Sequence, residues 1–232
     1  MPVAKLSATI EKLGWGNGLL YAFGRALQRA SGGRARLIRY VLVAQPVPPA
    51  AQAQCRASAK NSVRAVRPDD PLVQQFPRAK SVIARRFRIG SACFATESKG
   101  RFSGFLWLAR DAYDEDEVRC RYELAQPDCS AWDFDVYVEP PYRIGRTFAR
   151  LWDAANSHLD EQGVRWSFSR ISTFNPASLS SHSRLGVRKL HTATFLCLGK
   201  LQVAVIGAPP FVHLSLSPAS RPVLRLHPPA DG

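Results

Sequence analysis

The most constraining feature of the sequence is a stretch in which the hydrophobic period changes from that of a strand to that of a helix. Residues 132–138 alternate apolar and polar side chains, which predicts a strand with one face in a core. Two prolines follow, and residues 146–162 predict a helix that ends at Gly163, because glycine readily adopts the left-handed conformation of a helix C-terminus. Residues 166–171 predict the next strand. The chain therefore combines helices with a sheet.

The rest of the chain extends this mixed pattern. Further helices are predicted from residue 18 to a stop at residues 31–33, and at residues 68–76, 78–87 and 176–185. Further strands are predicted at residues 36–44, 62–66, 92–97, 102–108, 118–124, 192–198 and 201–206. Together these elements predict an α/β fold, with a mixed, mostly antiparallel central sheet flanked by helices and a helix-strand extension before it.

Composition along the chain predicts four segments. Residues 1–50 form a basic N-terminal extension, and residues 51–61, rich in Ala and Gln, form a linker. Residues 62–206 hold the regular alternation of strands and helices and form one domain, and residues 207–232 form a proline-rich tail that either adds strands or lies across the surface.

The net charge of +14 is concentrated in the first part of the chain. Residues 1–90 carry a net +13, and residues 91–232 carry a net +1. The basic segment either binds an anionic partner, which would be lipid, nucleic acid or the phosphates of a cofactor, or forms a solvated arginine-rich surface. Leu19, Phe23 and Leu27 form an apolar stripe flanked by Arg25 and Arg29, so this helix lies in a membrane interface or packs on the domain. Nucleic acid is not the expected partner because the predicted domain is nearly neutral.

Cysteine usage and hydropathy indicate the compartment. The five cysteines show neither CxxC spacing nor histidines at metal-ligand spacing, so a reduced cytoplasmic setting and no metal are predicted. No apolar run of 18 residues or more is present, and Glu11, Lys12, Arg25 and Arg29 interrupt the first thirty residues. We therefore expect neither a spanning helix nor an export signal, with contact at the inner membrane face as an option for residues 1–50.

The strand-turn-helix stretch carries a recognisable motif. Val138, Pro140, Tyr142, Arg143 and Leu151 fall on the positions of the acyl-coenzyme A binding motif of the GNAT (Gcn5-related N-acetyltransferase) superfamily, which this segment resembles. In that family a glycine-rich turn and a helix N-terminus hold the pyrophosphate.

The turn departs from the family pattern. Arg146 and Phe148 stand where the family has glycines, and Gly145 lies one residue early. Three alternatives follow: the turn is shifted by one residue, the Arg146 and Arg150 side chains help to hold the pyrophosphate, or coenzyme A binding is lost.

A second segment strengthens the resemblance. Asn175, Ser178, Leu185 and Gly186 match the family's later strand-helix motif, and His182 stands at the position of the tyrosine that protonates the departing thiolate. The resemblance implies an acyl-CoA-dependent N-acyltransferase that uses acetyl-CoA as co-substrate and a small-molecule or peptide amine as acceptor. The alternative is a GNAT-shaped binding or scaffold module. The implied coenzyme A residues are Tyr137, Val138, Arg143, Ile144, Gly145, Arg146, Thr147, Phe148, Asn175 and Ser178.

Direct transfer to an amine needs a base and is helped by an acid. Asp135 is the first choice for the base, and Glu139, directly after the strand, is another. His182 is the candidate acid because the ordinary pKa of histidine lies near neutrality. Alternatively, Asp135 lies on the solvated face of the strand, and His182 lies on a helix face without a catalytic role. The acidic run at residues 111–117 is either a solvated loop or an attraction for a cationic acceptor.

Overall fold

The computed structural model describes residues 9–52 and 61–230. The helices that matter below are α1 (Trp15–Ala30), α2 (Lys80–Arg88), α3 (Thr147–Glu161) and α4 (Pro176–Ser183). The strands are β1 (Ala35–Pro46), β2 (Asn61–Val66), β3 (Ala92–Ser98), β4 (Arg101–Ala109), β5 (Ala112–Asp114), β6 (Arg121–Leu124), β7 (Ser130–Val138), β8 (Trp166–Ser172), β9 (Arg188–Leu198), β10 (Leu201–Ile206), β11 (Val212–Ser215) and β12 (Val223–Leu226). The predicted α/β fold with a large, mostly antiparallel sheet flanked by helices is confirmed.

The described residues form two compact units. The second unit comprises Pro46–Asp111 and Gln126–Ser167. Its strands lie in the order β2-β3-β4-β7, with antiparallel neighbours. Helix α3 packs on these strands through Leu151, Trp152, Ala155 and Leu159, which are buried. Their spacing places them on one side of a helix, so the apolar stripe decides which face of α3 meets the sheet.

The end of α3 agrees with the sequence prediction. Gly163 has a φ of 73°, and its N–H donates to the carbonyl of Asp160, while the N–H of Val164 donates to the carbonyl of Leu159. This pair of bonds is the Schellman arrangement, in which the residue after the cap adopts the left-handed conformation. Gly163 therefore ends the helix and directs the chain into β8.

Strand β7 contains a bulge that the alternating pattern does not reveal. Phe105 pairs with Tyr137 and Trp107 pairs with Phe134, so two residues of β7 lie opposite one residue of β4. Asp135 lies in this bulge with a φ of 46°, in the left-handed region that a non-glycine residue seldom adopts. The bulge shifts the alternation of faces within β7.

The first unit is built from three separate parts of the chain: the described residues within Met1–Gln45, Ala112–Ala125 and Phe168–Gly232. Its larger sheet has the order β8-β1-β9-β10-β11, with β8 contributing the residues from Phe168 onward. A smaller sheet has the order β12-β6-β5, with β12 parallel to β6. Helices α1 and α4 belong to this unit.

The predicted extension and tail are both parts of the first unit. Strand β1 pairs with β9 over ten residue pairs, from Ala35 opposite Leu198 to Ala44 opposite Arg188. The tail contributes β11 at the edge of the larger sheet and β12 in the smaller one. The boundaries predicted at residues 50 and 206 thus differ from those of the compact units. Most of the linker predicted at residues 51–61 lies outside the described residues.

Three local predictions differ from the structure. The helix predicted at residues 68–76 is a single 3-10 turn, Pro71–Gln75, which starts where the Asp70 side chain accepts a hydrogen bond from the N–H of Leu72. The acidic run at residues 111–117 contains strand β5, so it is not a loop throughout, and its attraction for a cationic acceptor stays a prediction. The strand predicted from residue 118 begins only at Arg121.

Candidate functional site

The loop that joins β7 to α3 contains most of the residues that the resemblance marks for coenzyme A. It begins at Glu139, whose N–H donates to the carbonyl of Ser103 at 2.9 Å, continues through the 3-10 turn Pro140–Tyr142, and reaches α3 at Thr147. Gly145 has a φ of 145°, and a side chain there would meet no atom within 4 Å. The backbone is therefore open at Gly145.

The N-terminus of α3 lacks a side-chain cap. Arg146 occupies the N-cap position without a capping hydrogen bond, and the N–H of Arg150 donates to the carbonyl of Arg146 at 2.9 Å. The N–H groups of residues 147–149 precede that first bond and have no acceptor within the helix. Together with the positive end of the helix dipole, such groups form a site for an anion such as a phosphate.

Three arginines belong to this loop and to the first turn of α3. The Nε of Arg143 donates to the carbonyl of Val138 at 3.0 Å and so ties the loop to the end of β7. The Arg146 side chain is exposed. The Nε of Arg150 is buried and has no hydrogen-bond partner within the described part of the chain. Since a buried N–H without an acceptor is costly, it is a position that a ligand oxygen would satisfy.

The residues that replace the family's glycines leave the helix end accessible. Phe148 packs on Trp152 within α3, with ring centroids 6.3 Å apart, and Arg146 extends into solvent. Thr147 is buried, and Ile144 is 99% exposed. Residues 143–148 therefore lie at one helix terminus, and their part in coenzyme A binding stays a prediction.

Tyr137 and Glu139 form a pair at the end of β7. Burial first, and then the charge of Glu139 and a hydrogen bond to it, raise the pKa of Tyr137. The Tyr137 ring stacks on Phe102, with a centroid distance of 6.4 Å, and the Arg78 guanidinium lies 5.3 Å from its centroid. Packing on Phe102 and the contact with the Arg78 guanidinium therefore fix the Tyr137 ring near Glu139 at the end of β7.

The structure argues against Asp135 as the general base. Arg78 donates to its carboxylate through Nε at 2.9 Å and through Nη2, and Arg86 donates through Nη1. Burial alone raises the pKa of Asp135, but the hydrogen bonds and charges of the two arginines outweigh it, so that this pKa is lowered. A carboxylate held in this way is a weak proton acceptor. Asp135 instead fixes the bulge of β7.

Asn175, Ser178 and His182 lie in the first unit. Asn175 is the N-cap of α4, because its side-chain oxygen accepts from the N–H of Ser178 at 3.1 Å. The Nδ1 of the buried His182 donates to the carbonyl of Ser178 at 2.9 Å. Burial lowers the pKa of His182, and the hydrogen bond offsets this only in part. A neutral imidazole whose N–H is already bonded to the backbone is a poor acid, which argues against the predicted role.

A buried polar cluster in the first unit has no counterpart among the sequence predictions. Arg170 donates to Glu115 through Nε and Nη2, at 2.7 Å each, and its guanidinium lies 4.5 Å from the centroid of the Tyr40 ring. The Tyr40 hydroxyl donates to Glu117. The Glu115 side chain is fully buried, so one carboxylate of the acidic run at residues 111–117 points into the first unit. Arg170 is the one charged residue of β8, and this was the available signal.

Two residues of the second unit shape the course of β7. Asp133, predicted on a polar face, is buried, and its carboxylate accepts from the hydroxyl of Ser167 at 2.7 Å. A Cβ at Gly104 would lie 2.5 Å from the carbonyl oxygen of Tyr137, so no larger residue fits there without displacing backbone. A lone glycine inside a strand pattern is the signal for such a close approach.

Neither a metal site nor a spanning helix is found in the described ranges. Within residues 9–52 and 61–230, no group of three or more His, Cys, Asp or Glu side chains is arranged to hold a metal ion. In the same ranges no helix has both the length and the apolar character needed to cross a bilayer.

No protein-family model matches the sequence, and no curated protein matches it significantly. Solved structures resemble the fold. A conserved protein of unknown function from Staphylococcus epidermidis has a TM-score of 0.51 at 7% identity, over 74% of this chain and 66% of that one. A Drosophila protein has a TM-score of 0.50 at 12% identity, over 75% of this chain and 56% of that one.

Structures named as GNAT proteins are also among those that this chain resembles. A tandem GNAT protein from the clavulanic acid biosynthesis pathway has a TM-score of 0.49 at 16% identity, over 80% of this chain and 58% of that one. In all three cases the match spans less than two thirds of the other chain. At such identities the likeness concerns the fold alone.

Proposed function

We propose that this chain is an acyl-CoA-dependent N-acyltransferase of the GNAT type, which transfers an acetyl group from acetyl-CoA to a primary amine. The observation that carries the proposal is the N-terminus of α3. It has no side-chain cap and follows β7 through a loop open at Gly145, and the buried Nε of Arg150 in its first turn has no partner among the residues that the structure describes.

These features suit the pyrophosphate of coenzyme A. Backbone N–H groups at a helix N-terminus and guanidinium groups are both strong donors to phosphate oxygens. In this proposal residues 147–149 supply the backbone donors, while Arg146 and Arg150 supply the side-chain donors. The arginines thereby take over what the family's glycines do through close backbone approach.

Glu139 is the base that we propose for the reaction. Asp135 is held by two arginines, whereas the partner described for the Glu139 carboxylate is the neutral hydroxyl of Tyr137. An interaction with a neutral donor weakens the basicity of a carboxylate less than two cationic donors do. Glu139 also lies directly after β7, next to the loop of the coenzyme site.

The chemistry follows from direct attack. Acetyl-CoA supplies an activated thioester. The amine nitrogen forms a bond to the acyl carbon, the carbon–sulfur bond breaks, and the sulfur leaves as a thiolate that takes up a proton. The amine proton passes to Glu139. Backbone N–H groups at the end of β7, near Val138, stabilise the negative charge that develops on the carbonyl oxygen.

Binding experiments test the coenzyme site. Isothermal titration should show that acetyl-CoA and coenzyme A bind, and that pantetheine, which lacks the pyrophosphate, binds at least tenfold more weakly. Arg150→Gln should weaken acetyl-CoA binding by about 10- to 100-fold, the usual effect of losing a charged hydrogen bond. Arg88→Gln removes an exposed arginine at the end of α2 and is the matched control. The same affinity for pantetheine and acetyl-CoA would contradict the proposed phosphate site.

Turnover experiments test the activity separately. Release of free thiol from acetyl-CoA is followed with a panel of primary amines, and Glu139→Gln should lower kcat about 100-fold or more, as expected for loss of a general base. Its affinity for acetyl-CoA should stay unchanged. Binding of acetyl-CoA without thiol release for any amine would favour the scaffold alternative over the enzyme.

A further inference from the structure

Two residues of the apolar stripe of helix α1, Leu19 and Phe23, face solvent together with Trp15, whereas Leu27 is half-buried. Trp15, Leu19 and Phe23 follow one another at four-residue intervals and are 73%, 52% and 56% exposed. Ala26 and Ala30 continue the same exposed face. An amphipathic helix of a folded unit normally turns this stripe toward the core, so the orientation of α1 needs an explanation.

The opposite face of α1 is the one that packs on the first unit. Gly24 lies against Leu37 of β1, since a Cβ at this glycine would be 3.0 Å from the Cβ of Leu37. The Tyr21 ring contacts Phe174, with centroids 5.5 Å apart. Gly24 and Tyr21 thus fix the helix to the first unit, and this attachment leaves Trp15, Leu19 and Phe23 outside.

The apolar surface continues beside α1 on the same side of the sheet. Leu37 pairs with Leu196, Leu196 with Val203, and Val203 with Leu214. Directly paired residues point to the same face, so this row leads from the position under Gly24 to Leu214, which is exposed on the edge strand β11. The exposed side chain of Leu214 therefore lies on the same side of the larger sheet as α1.

The charge around this surface is positive. Arg25 and Arg29 border the stripe of α1 and are exposed, and exposed Arg34 follows the helix. The one acidic residue among residues 9–45 is Glu11. A second copy of the chain would bring the same positive charges onto this face, which is unfavourable, whereas an anionic lipid surface is complementary to them.

From this combination we propose that α1 is a membrane-docking helix, which places Trp15, Leu19 and Phe23 among the headgroups and upper acyl chains of an anionic phospholipid bilayer. The inference does not depend on the proposed acyl transfer. Interfacial helices bind through apolar burial together with attraction of basic residues to anionic lipid. It accounts for the outward stripe and for the basic residues that border it.

Co-sedimentation of the full chain with vesicles tests the proposal. Vesicles of three parts phosphatidylcholine to one part phosphatidylserine should sediment the protein, and vesicles of phosphatidylcholine alone should do so much less. Leu19→Ser with Phe23→Ser should abolish sedimentation. Arg25→Glu with Arg29→Glu should weaken binding at least 25-fold, at about fivefold for each basic residue lost.

Controls separate this site from general hydrophobicity and charge. Ile89→Ser removes an exposed apolar residue from the second unit, and Arg88→Glu reverses a charge there, so both variants should bind vesicles like the wild type. Circular dichroism and melting temperature verify that the variants fold. Equal loss of binding in the Ile89 or Arg88 variants would overturn the assignment to α1.

Trp15 provides a direct signal of docking. The other four tryptophans, Trp107, Trp132, Trp152 and Trp166, are buried, so acrylamide quenching of the free protein should report Trp15. On addition of phosphatidylserine vesicles the emission should shift to the blue and quenching should fall, and Trp15→Phe should remove both changes. If Trp15 is already protected from acrylamide without lipid, a segment of the protein covers the stripe and the lipid proposal is wrong. The proposal is also wrong if sedimentation velocity shows a dimer that Leu19→Ser with Phe23→Ser dissociates, because a second copy then covers the stripe.

Discussion

Replacement of Asp135 by asparagine should be among the more costly single changes in the second unit. Asparagine keeps the size of the side chain and tolerates a positive φ, so the backbone of the bulge is preserved and the charge alone is lost. The Arg86 side chain, 6% exposed, then faces a neutral amide in place of a carboxylate. Loss of one partner of a buried ion pair typically costs about 3–5 kcal/mol. We expect the free energy of unfolding to fall by about 3 kcal/mol, because Arg78 retains access to water.

Urea unfolding followed by tryptophan fluorescence measures this loss, with Asp70→Asn as the matched control. Asp70 pairs with Arg64, whose side chain is 44% exposed, and asparagine still caps the 3-10 turn at Leu72. An exposed pair contributes at most about 1 kcal/mol. If the Asp135 variant loses no more stability than the Asp70 variant, the arginine clamp does not hold the bulge and our interpretation of Asp135 is refuted.

The same variant has a defined pH dependence. The folded-state pKa of Asp135 is lowered, so its contribution to stability is complete above the ordinary aspartate pKa of about 3.9 and is lost as the pH falls from there through the folded value. The difference in stability between wild type and Asp135→Asn should therefore be constant near neutrality and shrink below about pH 4. A difference that stays constant on acidification would contradict the sign of this pKa shift.

Three other predictions follow from packing and burial. Gly104→Ala should lower the free energy of unfolding by about 1–3 kcal/mol in urea titration, because the added Cβ would lie 2.5 Å from the carbonyl oxygen of Tyr137. Unchanged stability would be inconsistent with that contact. Glu115→Gln should lower the free energy of unfolding by about 3 kcal/mol, because it removes the buried carboxylate that accepts two hydrogen bonds from Arg170. An unchanged melting temperature would show that this ion pair does not stabilise the fold. Iodoacetamide should alkylate the half-buried Cys129 before the buried Cys120, because burial raises the pKa of Cys120 to about 12 and so disfavours its reactive thiolate. Peptide mapping that finds Cys120 alkylated first would refute this order.

Features that depend on neighbouring residues were predictable from the sequence. The strand at residues 130–138, the helix that follows it and the hairpin of β3 and β4 carry clear hydrophobic periods and end at glycines or polar turns. The loop between β7 and α3 was located in the same way, because it is bounded by a strand pattern and a helix pattern. In these places local sequence alone determines the element.

Features that depend on distant residues were not predictable. The bulge in β7 is fixed by Arg78 and Arg86, which lie 57 and 49 residues before Asp135, so the alternation placed this aspartate on a regular polar face. Asp133 is buried, and the hydroxyl that satisfies its carboxylate lies 34 residues away in the chain. The predicted roles of Asp135 and His182 rested on residue type, whereas burial and partners determine the pKa of each group.

The division of the first unit into three chain segments has a consequence during synthesis. Strand β1 ends at Pro46 and its partner β9 begins at Arg188, so about 140 residues must be added before the two can pair. At translation rates of about 5–20 residues per second, β1 waits roughly 7–30 s for that partner, with its apolar residues 41–44 available to other chains. The nascent protein therefore passes through a stage in which binding by a ribosome-associated chaperone would protect it from aggregation.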